Sequence, residues 1–317
     1  MSVTLIATVV ALVLGHLAPS LAAAVRQYGW YRDWIRWLNR QFPDGSFWRG
    51  QWGIGLALVP PLLLVGLFQL AVEAQLLGLA ELLFGVAVLF YAWGPRDLDR
   101  DVNAILDASD PVARRDAAAR LSIDANPSLE GGSLVESVFR NAMRRWFGVL
   151  FWFLLLGPFG AILYRLTALS VASSGDPARD VPGRAMRGAR TLLALLEWPV
   201  AQLLTLSLAL VGNFDSVLDA WRGAGGSSFR LDNRFLGAVA RAGVRSELAE
   251  EAAEDAVYNR AAVDAADPHA EGHAVVADSG YALPDLPELR DAMSLAWRCL
   301  LVWLAVLALF VIAGFVS

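Results

Sequence analysis

Six apolar runs, each long enough to cross a bilayer as a helix, constrain this chain more than any other feature. They cover residues 3–25, 53–72, 76–93, 146–166, 192–211 and 296–316. About 20 apolar residues span the roughly 30 Å of hydrocarbon. The run at 192–211 leaves two interpretations open, a full span or an entry at the interface, because Glu197, Trp198 and Pro199 fall in its first turns. The sequence predicts an all-α, polytopic integral membrane protein with about five or six membrane helices plus interfacial and cytosolic-type helices.

The composition agrees with this class and excludes others. Hydrophobic residues make up 56% and charged residues 18% of the chain, against about 45–50% and 25% in soluble domains. All 26 basic residues are Arg, and 31 acidic residues give a net charge of −5, which argues against a nucleic-acid partner. Cys299 is the single cysteine, so no disulfide can form within the chain. The absence of Lys also removes the phosphate-binding lysine of a P-loop.

The runs divide the chain into five segments. Residues 1–93 hold N-terminal membrane helices and an amphipathic helix at 26–42, in which Trp30, Trp34, Trp37 and Leu38 recur at helical spacing and arginines recur every four residues. This pattern favours a helix lying in the membrane interface, and a helix facing the protein core is the alternative. Residues 94–145 form a polar helical segment, 146–212 membrane helices, 213–295 an acidic helical and loop segment, and 296–317 a C-terminal membrane helix.

Arginine content predicts the orientation, because cytoplasmic loops are enriched in Lys and Arg. It favours placing 26–50, 94–145 and 213–295 inside. Strict alternation of six spans would then place 167–190 outside with four arginines, Arg179, Arg184, Arg187 and Arg190, which conflicts with the same rule. Whether the acidic segment folds alone or against the membrane helices stays open.

Ionisable residues within apolar runs are functional candidates because they are costly to bury in lipid. His16, Glu81 and Glu197 are the main ones, with Arg165 as a further candidate. Each also has a structural alternative, namely a group that is hydrogen-bonded to a neighbouring helix or anchored at a span end. His269, Glu271 and His273 lie within five residues, but they lack the spacing of a helical zinc motif, and a surface loop is the better interpretation. Glycines at 222–230 favour a linker. No metal site and no cofactor is predicted.

Several motifs together resemble the AmpE proteins of bacterial inner membranes, which belong with the CobD/CbiB cobalamin-biosynthesis membrane proteins. They are ARLS at 119–122, LFWFLLLGPFGAILYRL at 150–166, LLALLEWPVAQLLTLSLALVGNFDSVLDAW at 192–221, and a single C-terminal apolar helix. The resemblance covers most of the chain and implies a multi-pass protein of the bacterial inner membrane.

The cobalamin enzymes of this resemblance use ATP to join an aminopropanol unit to a corrin carboxylate. Their Glu-Asn-Thr-x-Asp-Gly motif falls at residues 140–145, where this chain reads RNAMRR, so Arg140 and Arg144 replace the two acids and Arg145 follows. A third acidic position falls within 168–172, at Val171. Because Mg²⁺ takes oxygen ligands, the resemblance implies a retained framework that has lost ligase chemistry.

The leading hypothesis is a non-enzymatic signalling protein that links cell-wall recycling to β-lactamase induction, with the AmpD amidase as functional partner, a cell-wall fragment as ligand and the lipid bilayer around it. Two alternatives stay open, a cobinamide-type amide synthase and a transporter of a small anionic solute. The candidate ligand or partner residues are Arg140, Arg144, Arg145, Glu81, Glu197 and His16. For the three arginines, the alternative is a positive anchor at the start of a span.

Overall fold

The computed structural model describes residues 2–17, 24–73, 78–94, 97–122, 129–172, 180–228, 231–265 and 285–313, and each regular element within them is helical. The α-helices are α1 Ser2–Leu17, α2 Gly29–Gln41, α3 Ile54–Glu73, α4 Gly78–Ala92, α5 Leu98–Leu106, α6 Pro111–Leu121, α7 Gly131–Ala142, α8 Gly148–Val171, α9 Gly183–Val211, α10 Phe214–Gly223, α11 Phe235–Ala265 and α12 Pro287–Ile312. A 3-10 turn covers Phe47–Arg49, and a π-helical turn, Met143–Phe147, joins α7 to α8. The predicted all-α class is confirmed.

Four helical segments in the described residues are long and apolar enough to cross a membrane. They are Ile54–Val72, Gly131–Val171, Gly183–Val211 and Pro287–Phe310, and two shorter apolar helices cover Leu5–Gly15 and Gly78–Ala92. The second of the four is not one straight helix, because its backbone breaks at Gly157. Their outward faces are apolar, with Leu64 of α3 and Ile312 of α12 both more than two-thirds exposed. Apolar surface of this extent belongs in lipid, so the chain is a polytopic membrane protein.

Local signals in the sequence fix several helix ends. Asp110 caps α6 by accepting hydrogen bonds from the backbone N–H groups of Val112 and Ala113, at 2.8 and 2.9 Å, and Pro111 opens the helix. Asp at the N-cap followed by Pro at the first helical position is a common start of an α-helix. The amphipathic helix predicted at 26–42 corresponds to α2.

The buried face of α2 differs in part from the prediction. Tyr31, Ile35 and Leu38 pack into the protein, whereas Trp30 and Trp37 are exposed. Leu38, which the sequence pattern groups with the tryptophans, therefore faces the core. The location of the tryptophans in the headgroup region stays a prediction.

Two hydrophobic cores organise the helices. The first core contains the helices α1, α2, α3 and α4, residues from both arms of α8 on either side of Gly157, and the first half of α9. The second core contains the helices α5, α6 and α7, the start of α8, the second half of α9, and the helices α10, α11 and α12. Helix α9 passes from one core to the other between Leu196 and Val200. The polar segment at 94–145 and the described part of the acidic segment at 213–295 therefore pack against the membrane helices rather than folding alone.

Candidate functional site

Helix α8 is a hairpin with two antiparallel arms, although it is continuous in apolar character. Gly157 has φ 65° and ψ −153°, a backbone conformation open to glycine because it lacks a β-carbon. Pro158 then starts the second arm, at the position where its missing N–H costs no helical hydrogen bond. The Phe159 N–H is one of the free donors at the start of this arm, and it donates to the Gln69 side chain of α3 at 3.1 Å.

The two arms touch along their length. A β-carbon at Gly148 would collide with the ring of Tyr164, and one at Gly160 would collide with the carbonyl oxygen of Trp152. The Tyr164 hydroxyl lies 3.5 Å from the Met143 carbonyl oxygen, although 21 residues separate them, a distance of about 31 Å along a straight helix. The chain reverses its direction at Gly157–Pro158, where a glycine followed by a proline favours a break in a helix. The run at 146–166 was predicted as one span. It forms two shorter arms instead, and the start of the first arm lies beside the end of the second.

The π-helical turn at the mouth of this hairpin presents two arginines to different partners. Its Arg144 donates from Nε to Oε1 of Glu197 at 2.7 Å, and Arg145 donates from Nη1 to Oδ2 of Asp101 at 2.6 Å. The Arg145–Asp101 pair is about nine-tenths buried. Single π turns inside helices are often found at functional sites because they change the direction of the side chains that follow.

Glu197 is fully engaged by its neighbours. Its side chain is 3% exposed, and its second oxygen, Oε2, accepts a hydrogen bond from Nδ2 of Asn233 at 2.7 Å. The residue lies where α9 passes between the two cores, so this network ties the π-helical turn, α9 and the segment before α11 together. Glu197 and Arg144, singled out separately in the sequence, are thus direct partners.

Two further buried arginines bind carbonyl oxygens at the end of α4. Arg165, from the returning arm, donates to the Ala92 carbonyl at 2.6 Å and to the Arg145 carbonyl at 3.3 Å. Arg26 donates to the carbonyls of Phe90 and Gly94, at 2.9 and 3.4 Å. Carbonyls at a helix C-terminus lack partners within the helix and carry partial negative charge. The two guanidinium groups satisfy them.

Arg140 lies on α7 beside a different acid. It pairs with Glu136 at 2.5 Å, and Glu136 also accepts from Arg241 of α11 at 2.6 Å. Asn141, at the asparagine position of the aligned motif, is buried and donates to the carbonyls of Leu121 and Ser137. These contacts hold α7 against α6 and α11.

The remaining candidates lie apart from the mouth of the hairpin. Glu81 lines a cavity of about 320 Å³ at the hairpin tip, together with Gln69, Gly157 and Pro158. His16 belongs to α1, and its side chain lies outside the described residues, as do His269, Glu271 and His273. The structure therefore brings together Glu197, Arg144, Arg145 and Arg165 and leaves Glu81 and Arg140 in separate places.

Sequence reasoning did not single out Arg26, Asp101 or Asn233, which contact residues at the hairpin mouth. It also missed Glu136, the partner of Arg140. We define the mouth cluster as Arg26, Asp101, Arg144, Arg145, Arg165, Glu197 and Asn233. The two acids of this cluster, Asp101 and Glu197, come from positions outside the aligned motif. Among the described residues, no group of three or more His, Cys, Asp or Glu side chains is arranged so that it could hold a metal ion.

Comparison with known proteins favours the cobalamin side of the resemblance. The chain is 29% identical over 229 residues to the cobalamin biosynthesis protein CobD of Stutzerimonas stutzeri, covering 70% of this chain and 71% of that protein. It is 36% identical over 126 residues to the CobD protein of Chromobacterium violaceum, covering 37% and 38% of the two chains. No family model and no solved structure matches. The relation to CobD proteins is thus supported, whereas the AmpE assignment stays a prediction.

Proposed function

We propose that this protein acts in cobalamin biosynthesis as a membrane-embedded, CobD-like protein, at the step that joins an aminopropanol unit to a corrin carboxylate at the expense of ATP. The observation that carries the proposal is the similarity to a cobalamin biosynthesis protein over 229 residues, 70% of the chain. This replaces β-lactamase signalling as the leading hypothesis, because both reported relatives are cobalamin biosynthesis proteins.

The mouth cluster suits reactants of this kind. Both a corrin carboxylate and ATP are anionic, and arginine binds carboxylate and phosphate through paired N–H donors. Arg144 is the accessible member, with a side chain 32% exposed, and Glu197 holds it in place from the buried side. In this proposal Arg144 contacts the anionic reactant, and Glu197 and Asn233 are positioning residues. Magnesium would arrive with the nucleotide.

Genetic complementation tests the proposal. The gene is expressed in a bacterium that lacks its own CobD protein and must make cobalamin to grow. We expect wild type to restore growth, Arg144→Gln to restore it at least tenfold less efficiently, and Arg298→Gln to behave as wild type. Arg298 is a matched control because it also forms an ion pair, with Glu247 at 2.7 Å, but outside the mouth cluster. A folded wild-type protein that fails to restore growth would overturn the proposal.

A second candidate is the AmpE-like regulator, and one observation favours it. Arg140 and Arg144, which replace acids of the enzyme motif, each pair with a carboxylate of this chain, as does Arg145. These ion pairs stabilise the packing of the helices. They also occupy the carboxylates that a magnesium nucleotide would need as ligands. Deleting the gene and measuring β-lactamase induction tests this candidate. Unchanged induction, with AmpD activity intact and cell-wall fragments present, would rule it out.

A further inference from the structure

A second group of arginines surrounds a cavity that the proposed function does not use. The arginine cavity lies between the C-terminal half of α2, the 3-10 turn and the segment that leads into α9, and its volume is about 560 Å³. It is lined by Arg36, Asn39, Arg40, Arg49, Asp180, Val181, Pro182 and Gly183. Sites for small molecules have volumes of about 300–1,000 Å³, so a phosphate ester would fit.

The walls of the cavity are fixed by one asparagine. Asn39 accepts a hydrogen bond from Nε1 of Trp48 at 2.8 Å and donates to the carbonyl oxygen of Asp180 at 3.0 Å. Trp48 is completely buried. Since Asn39 joins α2 to the 3-10 turn and to the start of α9, the three segments keep their spacing without a ligand.

The charge of the cavity is positive, because three arginines face it with one aspartate. Arg36 and Arg49 each pair with an acid at 3.1 Å, but these acids, Asp33 and Asp44, are 64% and 94% exposed and lie outside the lining. Exposed pairs of this kind contribute about 0–1 kcal/mol, so a ligand can replace them. Within the described chain, no ion pair is formed by Arg40.

Exposed aromatic residues adjoin the cavity along the chain. Trp37 follows Arg36, Phe47 precedes Arg49 by two residues, and Trp52 follows Arg49 by three; their exposed fractions are 49%, 61% and 73%. Trp and other amphipathic aromatics favour the headgroup level of a bilayer. The cavity is thereby expected at the depth of lipid phosphates.

We propose that the arginine cavity is a binding site for a phosphate group at the membrane surface, carried either by an anionic phospholipid or by a water-soluble phosphate ester. Arg40 and Arg49 supply paired N–H donors, which match the geometry of phosphate oxygens, and Arg36 adds positive charge. The site is separate from the mouth cluster, so the inference does not depend on the proposed function.

Three probes test the site on the purified full-length protein in neutral detergent. Binding is measured for phosphatidylglycerol by native mass spectrometry, with phosphatidylcholine as the zwitterionic reference, and for inorganic phosphate and pyrophosphate by calorimetry. Arg40→Gln/Arg49→Gln should weaken binding about a hundredfold, since each hydrogen bond to a charged group contributes about a factor of ten. Arg40→Lys/Arg49→Lys, which keeps the charge but loses the planar fork, should weaken it about tenfold.

The matched control is Arg32→Gln/Arg187→Gln, which removes the same charge from exposed positions outside the lining. We expect it to change the affinity less than twofold. Selective binding of phosphatidylglycerol identifies a lipid site, binding of the soluble probes alone identifies a phosphate-ester site, and both outcomes support the proposal. The proposal is overturned if wild type binds none of the probes, or if the control loses as much affinity as the cavity variant. Circular dichroism verifies that each variant keeps the helical content of wild type. Residual binding by the lysine variant shows in addition that the cavity is still formed.

Discussion

The mouth cluster and the arginine cavity use the same side chain in opposite ways. At the hairpin mouth, Glu197 is almost fully buried, both its oxygens are hydrogen-bonded, and Arg165 and Arg26 bind the terminal carbonyls of α4. In the cavity, the acids that pair with Arg36 and Arg49 are largely exposed. Burial of the acid separates the two cases, because a desolvated partner holds an arginine in one orientation, whereas a solvated partner is easily exchanged for another anion.

The largest effect is expected from Glu197→Ala in the mouth cluster. Removing one member of a buried ion pair leaves its partner uncompensated, at a cost of about 3–5 kcal/mol, and the lower end applies because Arg144 is 32% exposed. Asn233 also loses its acceptor. Thermal unfolding in detergent should show a fall in melting temperature of several degrees. A melting temperature equal to that of wild type would show that the ion pair of Glu197 contributes as little to stability as the exposed ion pairs beside the cavity.

The next effect is expected at the contact between the hairpin arms. Gly148→Ala places a methyl group against the ring of the buried Tyr164, and overpacking of this kind costs about 1–3 kcal/mol. The matched control is Gly55→Ala in α3, where a β-carbon meets no atom within 4 Å. We expect only the first substitution to lower the melting temperature. Equal behaviour of the two variants would contradict the antiparallel packing of the arms.

A smaller effect is expected at Asp99 in α5, beside the mouth cluster. Burial, and the neighbouring Asp97, raise the pKa of Asp99 above its usual value, although the hydrogen bond from Trp297 opposes this shift. An acid with a raised pKa in the folded state destabilises the fold once it ionises, so stability should decrease as the pH rises from the unfolded pKa through the folded one.

Asp99→Asn tests this directly, because the amide oxygen can still accept the hydrogen bond from Trp297. We expect the variant to be slightly more stable than wild type at pH 7 and equally stable at pH 3, measured as melting temperatures across that range. The reverse order of stability at pH 7 would indicate that ionised Asp99 is stabilised by its surroundings.

The smallest change in stability is expected from Asp33→Asn at the rim of the cavity. Asp33 is 64% exposed and pairs with Arg36 within one helix, so its loss should change the free energy of unfolding by about 0.5 kcal/mol or less. The same variant should bind pyrophosphate two- to threefold more tightly, because Arg36 no longer has a competing acid. A large loss of stability would place this pair with those of the mouth cluster and remove the contrast between the two regions.

Local features of the fold could be predicted from the sequence, because neighbouring residues determine them. The apolar runs, the amphipathic α2, the Asp110 cap and the break at Gly157–Pro158 all follow from spacing and from the backbone preferences of glycine and proline. The direction after the break could not be predicted. It depends on contacts such as Tyr164 with Gly148 and Phe159 with Gln69, which lie far apart in sequence.

The pairing of charges in the mouth cluster was equally inaccessible from the sequence, unlike the pair of Arg140 with Glu136 four residues earlier in one helix. Glu197 lies 53 residues from Arg144, and Asp101 lies 44 residues from Arg145, and no local pattern selects one acid among 31. The arginine cavity draws its lining from three separate segments, so its arginines looked like parts of an interfacial helix and of connecting loops. For this reason the replacement of motif acids by arginine pointed to a reversed charge, whereas in the folded chain each of these arginines pairs with a carboxylate.

The hairpin in α8 has a consequence for how the chain is inserted during synthesis. A segment that enters the bilayer and returns through the same surface leaves the residues before and after it on one side, so it adds no crossing to the count. Arg184, Arg187 and Arg190, which follow the hairpin, then lie on the same side as residues 94–145 and are not translocated, whereas a full crossing by α9 places residues 213–295 on the opposite side. The translocation machinery is spared the cost of moving three permanently charged side chains through hydrocarbon.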